Sequence, residues 1–168
     1  MEHYIFEKLM DDHLFKNRII FLSSNINEEL ANTTITKLLV LNSLDQKLKI
    51  DLYINSGGGS ASDALAIYDV MQIIQAPIAT YCVGSAFSAA AWLLAAGTKG
   101  KRFATPNSRI MIHQPWTQAS GRTEDIRILS QVMSKLEESL IDILAHHTGK
   151  DSSKIRKDIN KEFWLSAP

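Results

Sequence analysis

The chain has 168 residues, and its 18 Lys and Arg balance its 18 Asp and Glu, so the formal net charge is zero. A neutral chain has no overall field that would recruit nucleic acid or an anionic membrane surface. Its single cysteine, Cys82, excludes an intramolecular disulfide and cannot form a zinc site alone. Because no signal-like start or long apolar run is found, we expect one soluble, cytoplasmic domain over residues 1–168.

Short segments rich in β-branched and aromatic residues alternate with helix-length segments along the chain. Strands are predicted at residues 18–22, 49–54, 78–83 and 109–113. Helices are predicted at residues 27–44, 62–74 and 87–96. The alternation predicts right-handed crossovers and a mainly parallel sheet, which is an α/β fold. The basic cluster Lys99, Lys101 and Arg102 is expected to form a solvated hairpin.

The longest predicted helix runs from Thr123 to about His147 and ends at Gly149, with a short helix following up to about Lys161. Its apolar residues cover a wide arc rather than one narrow stripe. A helix of this kind is expected to have two packing partners, and the second could be another subunit.

Two serines lie in the segment 84–92, directly after the third predicted strand. Ser85 is in position to cap the following helix, and capping is the simpler interpretation of this residue. Ser88 would lie in the first helical turn, where backbone amides are free and the helix dipole is positive. The nucleophile elbow G-x-S-x-G is absent, because Ala86 and Ala90 occupy its glycine positions, so the local pattern leaves catalysis and structure open.

A nucleophilic serine needs a base and donors for the oxyanion. His113 ends a predicted strand, although a structural surface histidine is the alternative. His146 and His147 close the long helix, where the helix dipole explains them, and no spacing favours a metal site. The glycines in residues 55–59 could present backbone amides, or form only a permissive turn. A phosphate loop and a Rossmann motif are disfavoured by their spacing.

Several segments together resemble the proteolytic subunit of the Clp protease family. They are Tyr-Ile-Asn-Ser-Gly-Gly-Gly (53–59), Ala-Phe-Ser-Ala (86–89), Lys-Gly-Lys-Arg-Phe (99–103), Pro-Asn-Ser-Arg-Ile-Met-Ile-His-Gln-Pro (106–115), His-Thr-Gly (147–149) and Phe-Trp-Leu-Ser-Ala-Pro (163–168). The similarity runs in register from about residue 18 to 168. It implies a ClpP/crotonase-like stack of βαβ units with a projecting strand and helix, a handle at about residues 114–144.

The resemblance implies that Ser88 is the nucleophile of a serine endopeptidase and that His113 is its general base. The family's oxyanion hole uses backbone amides that fall here on Gly59 and Ala89. Acyl transfer to Ser88 would be followed by hydrolysis. Ser85 keeps the capping role.

The family's catalytic aspartate falls on Glu162, which is longer by one methylene group. We expect Glu162 to be the third member of the triad, although small misplacements of a catalytic group cost large factors in rate. Asp158 is a nearby substitute, one helical turn earlier, and is expected to face solvent.

The resemblance also implies assembly into heptameric rings that stack through the handle as a tetradecamer enclosing the sites. Hexameric Clp-type ATPases would dock on apolar pockets to which Tyr53 contributes, and would feed in unfolded polypeptide. Only that partner would use ATP, so no cofactor or metal is expected in this subunit.

Two other functions stay open. A catalytically weak ring subunit that pairs with an active paralogue is suggested by Glu162, by Ala89 in place of a family methionine, and by an unusual segment at residues 4–13. Gly57 in place of a family proline is expected to loosen a loop that helps to bind the substrate backbone. A crotonase-like acyl-CoA enzyme would need no Ser88 and His113 pair. The chain also stops before the family's last strand and tail, and a truncated end is an alternative to a native one.

Overall fold

The computed structural model describes residues 11–167. Most of the unusual N-terminal segment and the last residue, Pro168, therefore lie outside the described residues. The helices are α1 (residues 11–16), α2 (Glu28–Leu44), α3 (Ala61–Ile73), α4 (Ala89–Ala95), α5 (Thr123–Thr148) and α6 (Ser152–Ile159). The strands are β1 (Ile19–Leu22), β2 (Ile50–Ser56), β3 (Ile78–Phe87), β4 (Arg102–Ala104), β5 (Arg109–Ile112) and β6 (Phe163–Ser166).

The strands form one sheet in the order β1-β2-β3-β5-β6, with β4 paired to β3 beside β5. All pairs are parallel except β5 with β6. Strand β3 is long enough to pair with β4 through residues 80–82 and with β5 through residues 85–87. The predicted α/β fold with a mainly parallel sheet is confirmed, and the carboxyl end of β3 is held next to the end of β5.

The core contains buried residues of the sheet and of helices α2 to α6. Alternate residues of β2 are fully buried, as the period of a strand with one buried face requires. Helix α4 is different because six of its seven residues are buried, three of them alanines. A short helix buried on all sides has little freedom to shift, so its N-terminus is a rigid platform.

Helix α2 begins after Asn27, whose side-chain oxygen accepts from the Leu30 amide, and α3 begins after Ser60 in the same way. Their positions agree with the predictions to within about one residue. Strand β3 is longer than predicted, because pairing with β5 extends it to Phe87. Helix α4 consequently begins two residues later than expected.

The predicted hairpin at the basic cluster is wrong. Residues 102–104 form β4, which pairs parallel to β3. The Arg102 guanidinium donates to the carbonyl oxygens of Ala95 and His147, and so ties together the C-terminal ends of α4 and α5. A cation at two helix C-termini is electrostatically favourable, which explains why this arginine is not a solvated loop residue.

Helix α5 has a buried and an exposed half. Its C-terminal half buries Leu140, Ile141, Ile143 and Leu144, whereas Ile126, Ile128 and Val132 remain 42–54% exposed. The segment 113–120 before it pairs with no strand of the described chain. The C-terminal half of α5 thus packs against α4 and α6, whereas the exposed apolar residues of its N-terminal half have no such cover among residues 11–167.

Strand β6 was not predicted. It is four residues long, is exposed along its length and forms the edge of the sheet. Within residues 11–167, no helix is long and apolar enough to cross a membrane.

Candidate active site

Ser88 occupies the junction between β3 and α4, at the N-cap position rather than in the first helical turn as predicted. Its φ of +53° lies in the left-handed region, which costs a non-glycine residue on the order of 1–3 kcal/mol. Its amide donates to the Met111 carbonyl oxygen, which fixes the backbone against β5. Its hydroxyl makes no capping hydrogen bond, so the strained backbone presents the side chain to the site instead.

The predicted capping role of Ser85 is wrong. Ser85 lies within β3, opposite Arg109, and its hydroxyl donates to the side-chain oxygen of Asn55. The Ser85 amide donates to the same oxygen. Ser85 therefore helps to attach the end of β2 to β3. It does not cap α4, because the extended strand moved the helix start beyond it.

His113 follows β5 and is half-buried, and its Nε2 lies 2.8 Å from the Ser88 hydroxyl oxygen. Phe87 pairs with Met111 across β3 and β5. Ser88 directly follows Phe87 and His113 lies two residues after Met111, so this pairing brings the hydroxyl and the imidazole together. An imidazole protonated on Nδ1 accepts a hydrogen bond at Nε2, so this arrangement can take the hydroxyl proton.

The glycine loop, residues 57–59, packs directly against Ser88. Gly58 has a φ of +92°, and a Cβ placed there would lie 2.6 Å from the Phe87 carbonyl oxygen and 2.9 Å from Ser88 Cβ. Only glycine fits this close approach. The glycine loop is thus a wall of the site and not merely a permissive turn.

Two backbone amides at the site have no hydrogen-bond acceptor among residues 11–167. Ile26 donates its amide to the Gly58 carbonyl oxygen and accepts from the Ser60 amide at its own carbonyl oxygen. Both hydrogen-bonding groups of the Ile26 backbone are therefore taken by the neighbours of Gly59, and the Gly59 amide is left free. The Ala89 amide is the first of α4, which has no partner within a helix. These are the two amides expected to bind an oxyanion, and both are available as donors.

A cavity of about 650 Å³, here called the serine cavity, contains Ser88, His113 and Gly59 in its lining. Its lining combines large apolar side chains with polar ones: Phe87, Trp92, Met111, Trp116, Met133 and Leu136 are apolar, and Asn25, Ser60, Ser62 and Thr117 are polar. Trp116 is 77% exposed at this lining. The serine cavity thus has the volume and the apolar walls to accept the side chains of a peptide next to a hydroxyl nucleophile.

Glu162 makes no hydrogen bond to His113 among residues 11–167. The antiparallel pairs of β5 and β6 end at Ile112 with Phe163, and His113 and Glu162 lie just beyond this last pair, one on each segment. The Glu162 carboxylate instead accepts a hydrogen bond from the Trp164 indole, at 3.2 Å. The structure brings together Ser88 and His113, two members of the expected triad, while the third, Glu162, makes its hydrogen bond to Trp164.

Asp158 does not face solvent as predicted. Its side chain is only 12% exposed and pairs with Lys154 across one turn of α6, at 3.4 Å. It borders an apolar cavity that includes Ile112 and Phe163, on the other side of the β5 and β6 pair from the serine cavity. Because alternate residues of a strand face opposite ways, Asp158 is separated from His113 by the sheet.

Trp116 and Trp164 were missed in the sequence. A period of two would have placed Trp164 on the same face as Glu162, but only if β6 had been recognised as a strand. No pattern in the sequence singles out Trp116.

A second imidazole and hydroxyl pair lies elsewhere, where His147 Nε2 is 3.1 Å from the Tyr68 hydroxyl. The rings meet edge to face, and His147 borders a cavity of about 530 Å³. Burial lowers the pKa of His147, and the nearby His146 and Arg102 lower it further. The helix dipole therefore does not explain this histidine as predicted, since burial and neighbouring cations oppose its charged form.

The sequence comparisons agree with this arrangement. The family model described as Clp protease matches residues 6–168. The chain belongs to the Clp protease family. It is 47% identical over 158 residues to the ATP-dependent Clp protease proteolytic subunit 1 of Rhodopirellula baltica, covering 94% of this chain and 70% of that protein. The predicted family and fold are confirmed, and the acyl-CoA enzyme alternative loses its support.

Proposed function

We propose that this Clp protease family chain is a serine endopeptidase subunit that hydrolyses unfolded proteins and peptides, with Ser88 as nucleophile and His113 as general base. The observation that carries the proposal is the 2.8 Å contact between the Ser88 hydroxyl and His113 Nε2. The left-handed backbone of Ser88 and its place in the serine cavity support it, because strained residues facing a cavity are typical of catalytic sites.

The reaction begins when the Ser88 oxygen attacks the peptide carbonyl carbon while His113 Nε2 takes the hydroxyl proton. The carbonyl π electrons move to the oxygen, and this oxyanion accepts hydrogen bonds from the Gly59 and Ala89 amides. The intermediate collapses, the C–N bond breaks, and His113 gives its proton to the leaving amine. Water then attacks the acyl-enzyme with the same proton transfers, which releases the carboxylate product and restores Ser88.

Glu162 is the acid that orients His113 in this proposal. Its exposure leaves the side chain room to turn, and Glu162 directly precedes β6 as His113 directly follows β5, beyond the last pair of these two strands. A carboxylate at Nδ1 would hold the imidazole in the reactive tautomer and stabilise its charged form.

The proposal includes assembly into heptameric rings stacked as a tetradecamer, in the cytoplasm. The exposed residues Ile126, Ile128 and Val132 support stacking through the handle, because several exposed apolar residues on one helix favour burial against another copy.

A row of aromatic side chains supports docking of a hexameric Clp-type ATPase. Tyr53 stacks on Tyr81 with ring centroids 4.6 Å apart, and Tyr81 stacks on Phe103 at 5.0 Å. Phe21 pairs with Tyr53 on the next strand, so the row crosses four strands. An apolar segment of the ATPase would lie along it. ATP would be hydrolysed by that partner, and this subunit would use no cofactor.

The test is labelling of the purified assembly by a fluorophosphonate, with mass spectrometry to locate the adduct. We expect an adduct on Ser88 that is lost in Ser88→Ala and strongly slowed in His113→Ala. A well-formed assembly that remains unlabelled, or is labelled elsewhere, would contradict the proposal.

A second candidate is a weak ring subunit that pairs with an active paralogue, which the missing contact between Glu162 and His113 favours. Mixing the purified chain with such a paralogue separates the two functions. The second is supported if this chain alone is inert and raises the peptidase activity of the partner.

A further inference from the structure

Trp164 is the residue that holds the expected acid of the triad. Its indole nitrogen donates to Glu162 Oε2 at 3.2 Å, and no other hydrogen bond to this carboxylate exists among residues 11–167. One oxygen is therefore held by Trp164, while Oε1 is left without a donor. A glutamate carboxylate that is held at one oxygen has fewer accessible side-chain conformations than a free one.

The Trp164 side chain is itself held in place. Its ring meets the Phe87 ring edge to face, with centroids 5.1 Å apart, and Phe87 directly precedes Ser88. The antiparallel pairing also places Trp164 opposite Met111, two residues before His113. Trp164 is thus connected to the two residues that carry the nucleophile and the base.

The two faces of the β5 and β6 pair separate the roles of their residues. Ile110, Ile112, Phe163 and Leu165 line the apolar cavity on one side. Met111 and His113 border the serine cavity on the other side, and the strand period assigns Glu162 and Trp164 to that same side. A tryptophan that is 52% exposed on this side does not serve to fill the core.

We propose that Trp164 is a positioning residue for Glu162: its indole holds Oε2 so that Oε1 is presented to His113, which compensates for the extra methylene of a glutamate at this place. This inference rests on the proposed function. A glutamate side chain has one more rotatable bond than an aspartate, and fixing one carboxylate oxygen removes much of the added freedom.

The first experiment tests the contact itself and needs no activity. The chain has three tryptophans, so its assembly has three indole N–H signals in a transverse-relaxation-optimised NMR spectrum. We expect Glu162→Ala to shift the Trp164 signal and speed its hydrogen exchange, while the Trp92 and Trp116 signals stay in place. A Trp164 signal that does not respond would overturn the inference.

The second experiment tests the consequence through the rate constant of fluorophosphonate labelling. Trp164→Phe keeps a ring against Phe87 but removes the donor, and we expect the rate constant to fall about fivefold to tenfold. In a Glu162→Ala background, Trp164→Phe should alter the labelling rate constant by less than about twofold, because the carboxylate through which Trp164 acts is already absent. An equal loss in both backgrounds would overturn the proposal.

Two further variants separate positioning from folding. Glu162→Asp needs no such anchor, so it should reduce the effect of Trp164→Phe to about twofold or less. Leu165→Val trims the opposite face of β6 and should leave labelling within about twofold of wild type. If Leu165→Val costs as much as Trp164→Phe, the effect belongs to β6 and the inference fails. A wild-type assembly that is never labelled would contradict the proposed function instead, and the indole signal would still decide the inference.

Discussion

The molecule contains two histidines that each contact a hydroxyl group beside a cavity. His113 Nε2 lies 2.8 Å from the Ser88 oxygen, and His147 Nε2 lies 3.1 Å from the Tyr68 oxygen. The cavities are of similar size, about 650 and 530 Å³. Judged only by the distance between imidazole nitrogen and hydroxyl oxygen, the Ser88–His113 and Tyr68–His147 pairs are nearly equivalent.

Their surroundings differ in the features that catalysis needs. Ser88 sits on a strained backbone next to two free amides, whereas Tyr68 lies within the regular helix α3. Beside His147 are His146 and Arg102, which disfavour its protonation. His147, whose protonation burial disfavours and whose hydroxyl partner lies on a regular helix, is a packing residue. A hydroxyl and imidazole contact therefore indicates a site only together with its surroundings.

The largest expected difference follows from removing the hydroxyl of each pair. Ser88→Ala should lower peptidase activity by about 10⁴-fold or more, because the nucleophile is lost. Tyr68→Phe should keep activity and lower the free energy of unfolding by about 1 kcal/mol, because one hydrogen bond is lost. Cleavage of a fluorogenic peptide and denaturant unfolding measure the two effects. A comparable loss of activity in both variants would break the comparison.

The glycine loop allows an intermediate test of the surroundings of Ser88. Gly58→Ala would place a Cβ against the Phe87 carbonyl oxygen at a left-handed backbone, so we expect on the order of 1–3 kcal/mol of destabilisation. The displaced loop should also slow labelling of Ser88 by about 100-fold.

Gly57→Ala is the matched control for stability, since no atom lies within 4 Å of its added Cβ and its φ is not left-handed. Thermal unfolding should show a midpoint close to wild type for Gly57→Ala and a lower one for Gly58→Ala. Equal midpoints would mean that the glycine loop does not pack against Ser88 as described.

The smallest expected effect is a pH dependence of stability that comes from His147. Its pKa in the folded state lies below its ordinary value of 6.5, first because of burial. The unfolded chain therefore takes up this proton at a higher pH than the folded one, and stability falls as the pH drops from about 6.5 through the folded value.

Urea unfolding between pH 7.5 and about pH 5 measures this dependence. His147→Asn does not titrate, so its stability should fall less with acid than that of wild type. Parallel pH profiles for the two proteins would show that His147 does not carry the effect.

Local patterns in the sequence determined much of the fold. The β-branched segments and the capping residues Asn27 and Ser60 placed the first strands and helices to within a few residues, because strand period and end capping are local properties. They also singled out Ser88 and His113 as candidates for catalysis. The resemblance to the Clp motifs made Glu162 the expected acid of the triad. In contrast, β4 and β6 are three and four residues long and depend on their neighbours in the sheet.

Only the tertiary structure decided how the candidates meet. Pairing of β3 with β5 extended β3, moved Ser85 out of its expected cap and brought Ser88 to His113 from 25 residues away. Pairing of β5 with β6 placed Trp164 opposite Met111 and ended just before His113 and Glu162. These contacts depend on strand register between distant segments, and register is set by packing of the whole sheet and not by any one segment.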